Sequence, residues 1–324
     1  METRKYVLVL ITLLFATLAC SIPSLLKEAS LPLEAIQETV IAELMLTPQP
    51  ETLEPEPTPE VPTEEPTPET PTEEPTPEIP IEEPTPEGFT CSPGMALGDT
   101  FGVEFCYPQE DSGGYSQEMI PEKTESEEMF PWSINPQFIE IILTGYHVKN
   151  EYHAPAIRVY PVADFVALDS YVQTIVDDIQ TLLASGDPRP SSVPFVPFFN
   201  AGQMICSQVT YLDFRNGNGV RFITQYGQAF APISNDAVIY AFIGLTDDGK
   251  YLLSATMPIK HLMFVDSVYD DPPEGWNAFI DNYENYRNNM ETMMLAMAPE
   301  TFGPSLLSLD KMMESFLIPV DAIP

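Results

Sequence analysis

Between Thr47 and Gly88 a nine-residue unit recurs three times, as PTEEPTPET from Pro62, PTEEPTPEI from Pro71 and PIEEPTPEG from Pro80. No packed core can be built from it. Val61, Ile79 and Ile81 are almost its only large apolar groups, too few for burial to offset the entropy of ordering the backbone. Proline biases each unit towards polyproline II, and glutamates without basic partners repel one another, so residues 47–88 read as a disordered but extended linker. At about 3.1 Å per residue it reaches on the order of 130 Å. Its threonines suit O-glycosylation and its P-x-x-P steps suit a groove-type domain; the spacer role holds in either case.

The linker accounts for the unusual composition. Proline is 35 of 324 residues while glycine is only 16, so the excess is not general loop content. Net charge is −36, from 13 basic and 49 acidic side chains. Residues 1–88 hold 3 of the basic and 18 of the acidic groups, leaving 10 and 31 for residues 89–324. Such a field repels phosphate backbones and anionic headgroups, which excludes nucleic acid as a partner and argues against direct adsorption to an anionic membrane.

Ahead of the linker, Arg4 and Lys5 are followed by a charge-free run from Tyr6 to Leu18. Its 13 residues suit a signal-peptide core and fall short of the roughly 20 that span a bilayer. The run ends in Thr17-Leu18-Ala19-Cys20, which resembles the bacterial lipobox, although leucine is commoner where Thr17 stands. The resemblance implies removal of residues 1–19 as a signal peptide and a diacylglycerol thioether on Cys20, with an acyl chain such as palmitate on the new amino group. It also implies an extracytoplasmic protein anchored in the cell membrane, since two or more chains hold stably where one does not. The rival readings are an ordinary secretory signal with a chance cysteine, and an uncleaved anchor. Residues 20–46 form a stub with Ile36, Val40 and Leu44 on one helical face. Its polar residues are acidic, so a short solvated amphipathic helix fits better than an interfacial one.

The composition turns globular near Phe89, and residues 89–324 read as a single domain. Phe101, Val103, Phe105 and Tyr107 alternate with Gly102, Glu104 and Cys106 before Pro108, the pattern of a half-buried strand. Residues 109–135 are acidic and unpatterned and read as a long excursion. Phe138 to Tyr146 and Ala156 to Tyr160 are further strand candidates. Over 165–183 the period changes: Phe165, Leu168, Val172, Ile175, Ile179 and Leu182 form one stripe of an amphipathic helix, stopped by Gly186 and Pro188.

Met204 to Phe214 and Val220 to Tyr226 flank Asn216-Gly217-Asn218-Gly219, which reads as a hairpin turn needing positive φ. Ala237 to Leu245 and Tyr251 to Met257 flank Asp247-Asp248-Gly249, a second turn of the same kind, with Pro258 ending the last strand. Four strands joined by short turns predict an antiparallel meander. From Trp276 to Met297 an aromatic and methionine face runs over six helical turns, and Leu306 to Phe316 repeats it on a smaller scale. The methionines suit either an adaptable groove or, as the default, core packing. The expected fold is α+β: an antiparallel sheet with a four-strand C-terminal meander, packed by one mid-domain helix and two C-terminal helices.

With Cys20 set aside, Cys91, Cys106 and Cys206 remain. A Cys91–Cys106 bridge would close a loop of about 15 residues and add ~3 kcal/mol by chain entropy. A Cys106–Cys206 bridge and a fully reduced trio are the alternatives. Catalytic signatures are missing: no G-x-S-x-G, H-E-x-x-H, C-x-x-C, P-loop or EF-hand loop occurs. His147 and His153 lie on one predicted loop without a carboxylate at helical spacing to complete a zinc set. Asp247-Asp248 and Asp270-Asp271 read as turn chemistry rather than calcium ligands. No catalytic residue, metal or cofactor is assigned.

The opening Gly-Val-Glu-Phe-Cys-Tyr-Pro at 102–108 is loosely similar to the first strand of the photosystem II PsbP and Mog1 type sandwich. Phe198 to Ala201 (FFNA), Tyr211 to Tyr226 (YLDFRNGNGVRFITQY) and Gly244 to Tyr251 (GLTDDGKY) look like the folded part of uncharacterised exported bacterial proteins. Neither resemblance implies a chemistry. The function expected is a non-catalytic binding or envelope-interaction module borne on a lipidated stalk, its ligand a protein or other envelope component. The alternative is a cell-surface hydrolase, which requires a pocket uniting His147, His153 and carboxylates.

Overall fold

The computed structural model describes residues 89–124 and 133–323. The leader at 1–19, Cys20, the stub at 20–46 and the linker at 47–88 lie outside them.

The first elements are β1 (Met95–Thr100), β2 (Val103–Pro108), β3 (Gly114–Ile120), β4 (Phe138–Thr144) and β5 (Ala156–Pro161). Two helices follow, α1 (Val162–Leu168) and α2 (Tyr171–Ser185). Then come β6 (Gly202–Phe214), β7 (Gly217–Gly227), β8 (Ile239–Thr246) and β9 (Tyr251–Pro258). The chain closes with α3 (Trp276–Asp281), α4 (Tyr283–Leu295) and α5 (Leu306–Glu314). The class is α+β. Seven strands form one antiparallel sheet in the order β3-β4-β5-β9-β8-β7-β6, and β1-β2 is a separate hairpin. The predicted four-strand meander is its C-terminal half, and the β5–β9 pairing joins it to a second meander, β3 to β5.

Every residue of β8 and β9 is buried, because both faces of the sheet are covered. Alternation along each strand sends neighbours to opposite layers. Ile239, Ala241, Ile243 and Leu245 pack with Phe165, Val172, Ile175 and Ile179 of α1 and α2. Tyr240 and Phe242 face Met290 and Met294 of α4, Leu309 and Met312 of α5, and Phe105 of the hairpin. The methionine stripe is therefore core, at least at Met290 and Met294.

Across that second layer runs a buried ion pair. Arg221 on β7 donates from Nε and Nη2 to the two carboxylate oxygens of Asp310 on α5, each at 3.1 Å, and Tyr240 donates its hydroxyl to the same carboxylate at 3.0 Å. Arg221 also donates to the carbonyl of Gln208, which has φ +54° in the irregular stretch of β6.

Several expectations need correction. Phe101 is not in a strand: Phe101 and Gly102, at φ +51° and +80°, form the tight turn between β1 and β2. The 109–135 excursion contains β3, whose seven residues are all at least partly exposed and so lack the alternation that marks a half-buried strand. The mid-domain helix is two helices, parted at Asp169-Ser170, and ends as expected at Gly186 with φ +59°. The 276–297 helix is likewise interrupted, at Asn282.

The Asn-Gly-Asn-Gly reading was mistaken in its reason. Phe214 pairs with Gly217, so the turn is Arg215-Asn216, and neither residue has positive φ. Gly217 and Gly219 are strand residues chosen for close approach. A Cβ on Gly219 would lie 2.6 Å from the Ile243 carbonyl oxygen and 2.8 Å from Gly244 Cα.

Candidate functional site: an aromatic cleft at one end of the sheet

Antiparallel pairing brings the end of β4, the starts of β5, β6 and β8, and the ends of β7 and β9 to the same end of the sheet. The long connections there are tied together by polar side chains. Asn150 donates to the Val238 carbonyl and accepts from the amides of Tyr152 and His153. Asp236 accepts from Ser234 Oγ at 2.6 Å and from the Val268 amide at 3.2 Å. Asn235 accepts from the His261 amide at 2.8 Å. Loops held this way can keep a surface shape that no single strand dictates.

Between them lies a cleft of about 550 Å³, within the range of small-molecule sites. Aromatic rings come to it from five segments: Tyr152 and His153 from the β4–β5 loop, Phe199 from the segment before β6, Tyr226 and Phe230 from β7 and its extension, Tyr269 from the loop after β9, and Trp276 from α3. Phe199 lies 4.6 Å from Tyr226 and 4.9 Å from His153 between ring centres. The hydroxyls of Tyr152 and Tyr269 are 3.4 Å apart, and Trp276 donates its indole N–H to Asp271 at 2.9 Å. Tyr269 is 72% exposed and Phe230 53%, a large amount of aromatic surface left facing solvent.

Two of the three side-chain amides in the lining are engaged with the protein. Gln225 donates to the Pro232 carbonyl and accepts from the Ser234 amide, while Gln228 donates to the Asn200 carbonyl. Among the described residues, the cleft lining includes no carboxylate, lysine or arginine. Burial, aided by the Arg158 charge, lowers the His153 pKa to about 4, so its imidazole is neutral at physiological pH. Arg158 is itself paired with Glu140 at 2.9 Å. Burial likewise pushes the Tyr226 phenol up. An adjoining cleft of about 820 Å³ shares Met204, Gly227, Gln228, Ala229 and Phe230, and adds Asp281, Glu284 and Arg287 to its walls.

His147 is exposed and does not line either cleft; its amide donates to the Asp111 carbonyl. The pocket uniting both histidines with carboxylates is therefore not formed. His261 lies between Thr301, which is 3.0 Å from its Nε2, and the rings of Phe264 and Phe302. Asp248 and Asp270 serve their own turns, accepting from Thr246 Oγ1 and the Lys250 amide, and from the Ser267 amide. Among the described residues, no group of three or more His, Cys, Asp or Glu side chains could hold a metal ion. Cys91 and Cys106 are joined in a disulfide, their Cα atoms 5.7 Å apart. Cys206 is free, and burial raises its thiol pKa to about 12, far from a reactive thiolate.

The chain matches no family model, no curated protein and no solved structure.

Proposed function

We propose that the domain is a non-catalytic binding module of an extracytoplasmic lipoprotein, held from the cell membrane by acyl chains on Cys20 and by the linker at 47–88. The observation that carries the binding role is the cleft: a concave site of ligand size, built by stitched loops and lined by aromatic side chains from five segments. Hydrolysis needs opposed titratable groups poised near working pH. The cleft offers His153 held neutral, with its neighbouring phenols shifted further from ionisation. The lipobox resemblance at Thr17 to Cys20 and the short uncharged run before it support the address. Among the described residues, no helix is long and apolar enough to cross a membrane.

Two measurements test this reading separately. Mass spectrometry of the mature protein should find the chain beginning at an acylated Cys20, and Cys20→Ala should release the protein from the membrane fraction. Identical fractionation of both forms would refute the anchor. For the domain, crosslinking in intact cells through a photoreactive group at Tyr269 should trap a discrete adduct. The same group at the exposed Asp187, away from the cleft, should not; equal patterns from the two positions would refute a cleft-centred binding role.

A further inference from the structure

We infer that the aromatic cleft is a receptor for an organic cation of the quaternary ammonium class. This rests on the binding-module reading and specifies its ligand.

Three features select the class. First, aromatic side chains are the largest class in the lining, and of its polar side chains Gln225, Gln228 and the Tyr152–Tyr269 hydroxyl pair already hydrogen-bond within the protein, leaving Asn200 and the neutral His153. A ring face carries negative potential and attracts a cation within about 6 Å of its centre, most strongly when the site is partly desolvated. A sugar would instead need several free donors and acceptors to replace its hydration.

Second, carboxylates surround the cleft without entering it. Glu151 and Asp236 act electrostatically on the Tyr152 phenol, and Asp271 holds the Trp276 indole. Arg158, whose charge reaches His153, is paired with Glu140, and Arg287 in the wall of the adjoining cleft stands 4.0 Å from Glu291. With 31 acidic and 10 basic residues from 89 to 324, the surrounding field favours cations and repels anions. Third, among the described residues there is no carboxylate in the lining to hold a small hydrated cation by direct contact. A poorly hydrated, methyl-rich cation that is content against ring faces fits the site better than an ammonium or a metal ion.

The test is calorimetric titration of the full chain with choline and with its neutral isostere, 3,3-dimethyl-1-butanol. Choline should bind saturably and perturb the Trp276 indole N–H resonance. The isostere should bind about tenfold more weakly or not at all, and raising the ionic strength should weaken only the choline isotherm. Tyr269→Phe should retain binding, while Tyr269→Leu, at a site too exposed to disturb the fold, should lose about tenfold. Equal affinity for the isostere, or occupancy of the cleft by a chitin oligosaccharide with no response to choline, would overturn the cation assignment while leaving the binding module intact. Failure of choline to bind at all would also overturn it.

Discussion

The β6–β7 hairpin has two unlike ends. At its turn, Arg215 donates its amide to the Phe316 carbonyl and pairs with Glu104, and Asn216 exchanges hydrogen bonds with the backbone of Ile318. Gly217 and Gly219 leave no room there for a side chain. At the other end Gly202 pairs with Gly227, the strands stop, and a cleft opens. A Cβ on Gly227 would first meet the Met204 thioether, a flexible side chain rather than backbone. The same two strands are thus anchored at one end and terminate at a ligand-sized space at the other. The division resembles that of many binding proteins, where a packed scaffold carries loops that meet the ligand.

The largest test of the sealed half is Asp310→Ala. It strands the Arg221 guanidinium, whose side chain is only 3% exposed, and should cost about 3–5 kcal/mol in urea unfolding. Replacing both partners with apolar residues, Arg221→Met with Asp310→Leu, should recover most of that loss. Next, Gly219→Ala should cost about 3 kcal/mol, because its Cβ meets backbone that cannot move aside. Opening the Cys91–Cys106 bridge by Cys91→Ser should cost ~3 kcal/mol for its 15-residue loop.

At the open end the first loss depends on pH and is absent at neutral pH. His153 has a folded pKa of about 4, below the unfolded value of about 6.5. Its neutral form is the one the fold stabilises, so that contribution is full above pH 6.5 and declines as pH falls towards 4, by at most about 3 kcal/mol. The pH dependence of the urea midpoint in this window should flatten in His153→Phe. Smallest of all, Gly227→Ala should cost less than about 1 kcal/mol, as Met204 can change rotamer. A loss as large as that of Gly219→Ala would erase the contrast between the two ends.

Elements that bury one regular face were legible from residue spacing. The stripe from Phe165 to Leu182 and the β8–β9 hairpin around Gly249 carry their period in the order of residues, since each buried position recurs at the element's own repeat. β3 was not legible because it is a partly exposed edge strand. The breaks at Asp169 and Asn282 were missed because the apolar stripe continues across both. At the site, residue spacing marks His153 as a loop residue and Trp276 as the start of a helical face, and carries no sign that the two are neighbours. The available signal was a set of aromatics, Tyr152, Phe199 and Tyr269 among them, in segments without strand or helix periodicity.

By itself the sequence determined the division into a Pro-Thr-Glu-rich segment and a part of globular composition, the α+β class, and the four-strand meander, because these depend on local composition and on periods of 2 and 3.6. The tertiary structure alone decided that β5 pairs with β9, that helices cover both faces of the sheet, and that rings from five separate segments surround one cleft. Those outcomes join residues over a hundred positions apart, Tyr152 and Tyr269 for example. Contacts at that range depend on how whole faces pack, and leave no periodic trace along the chain.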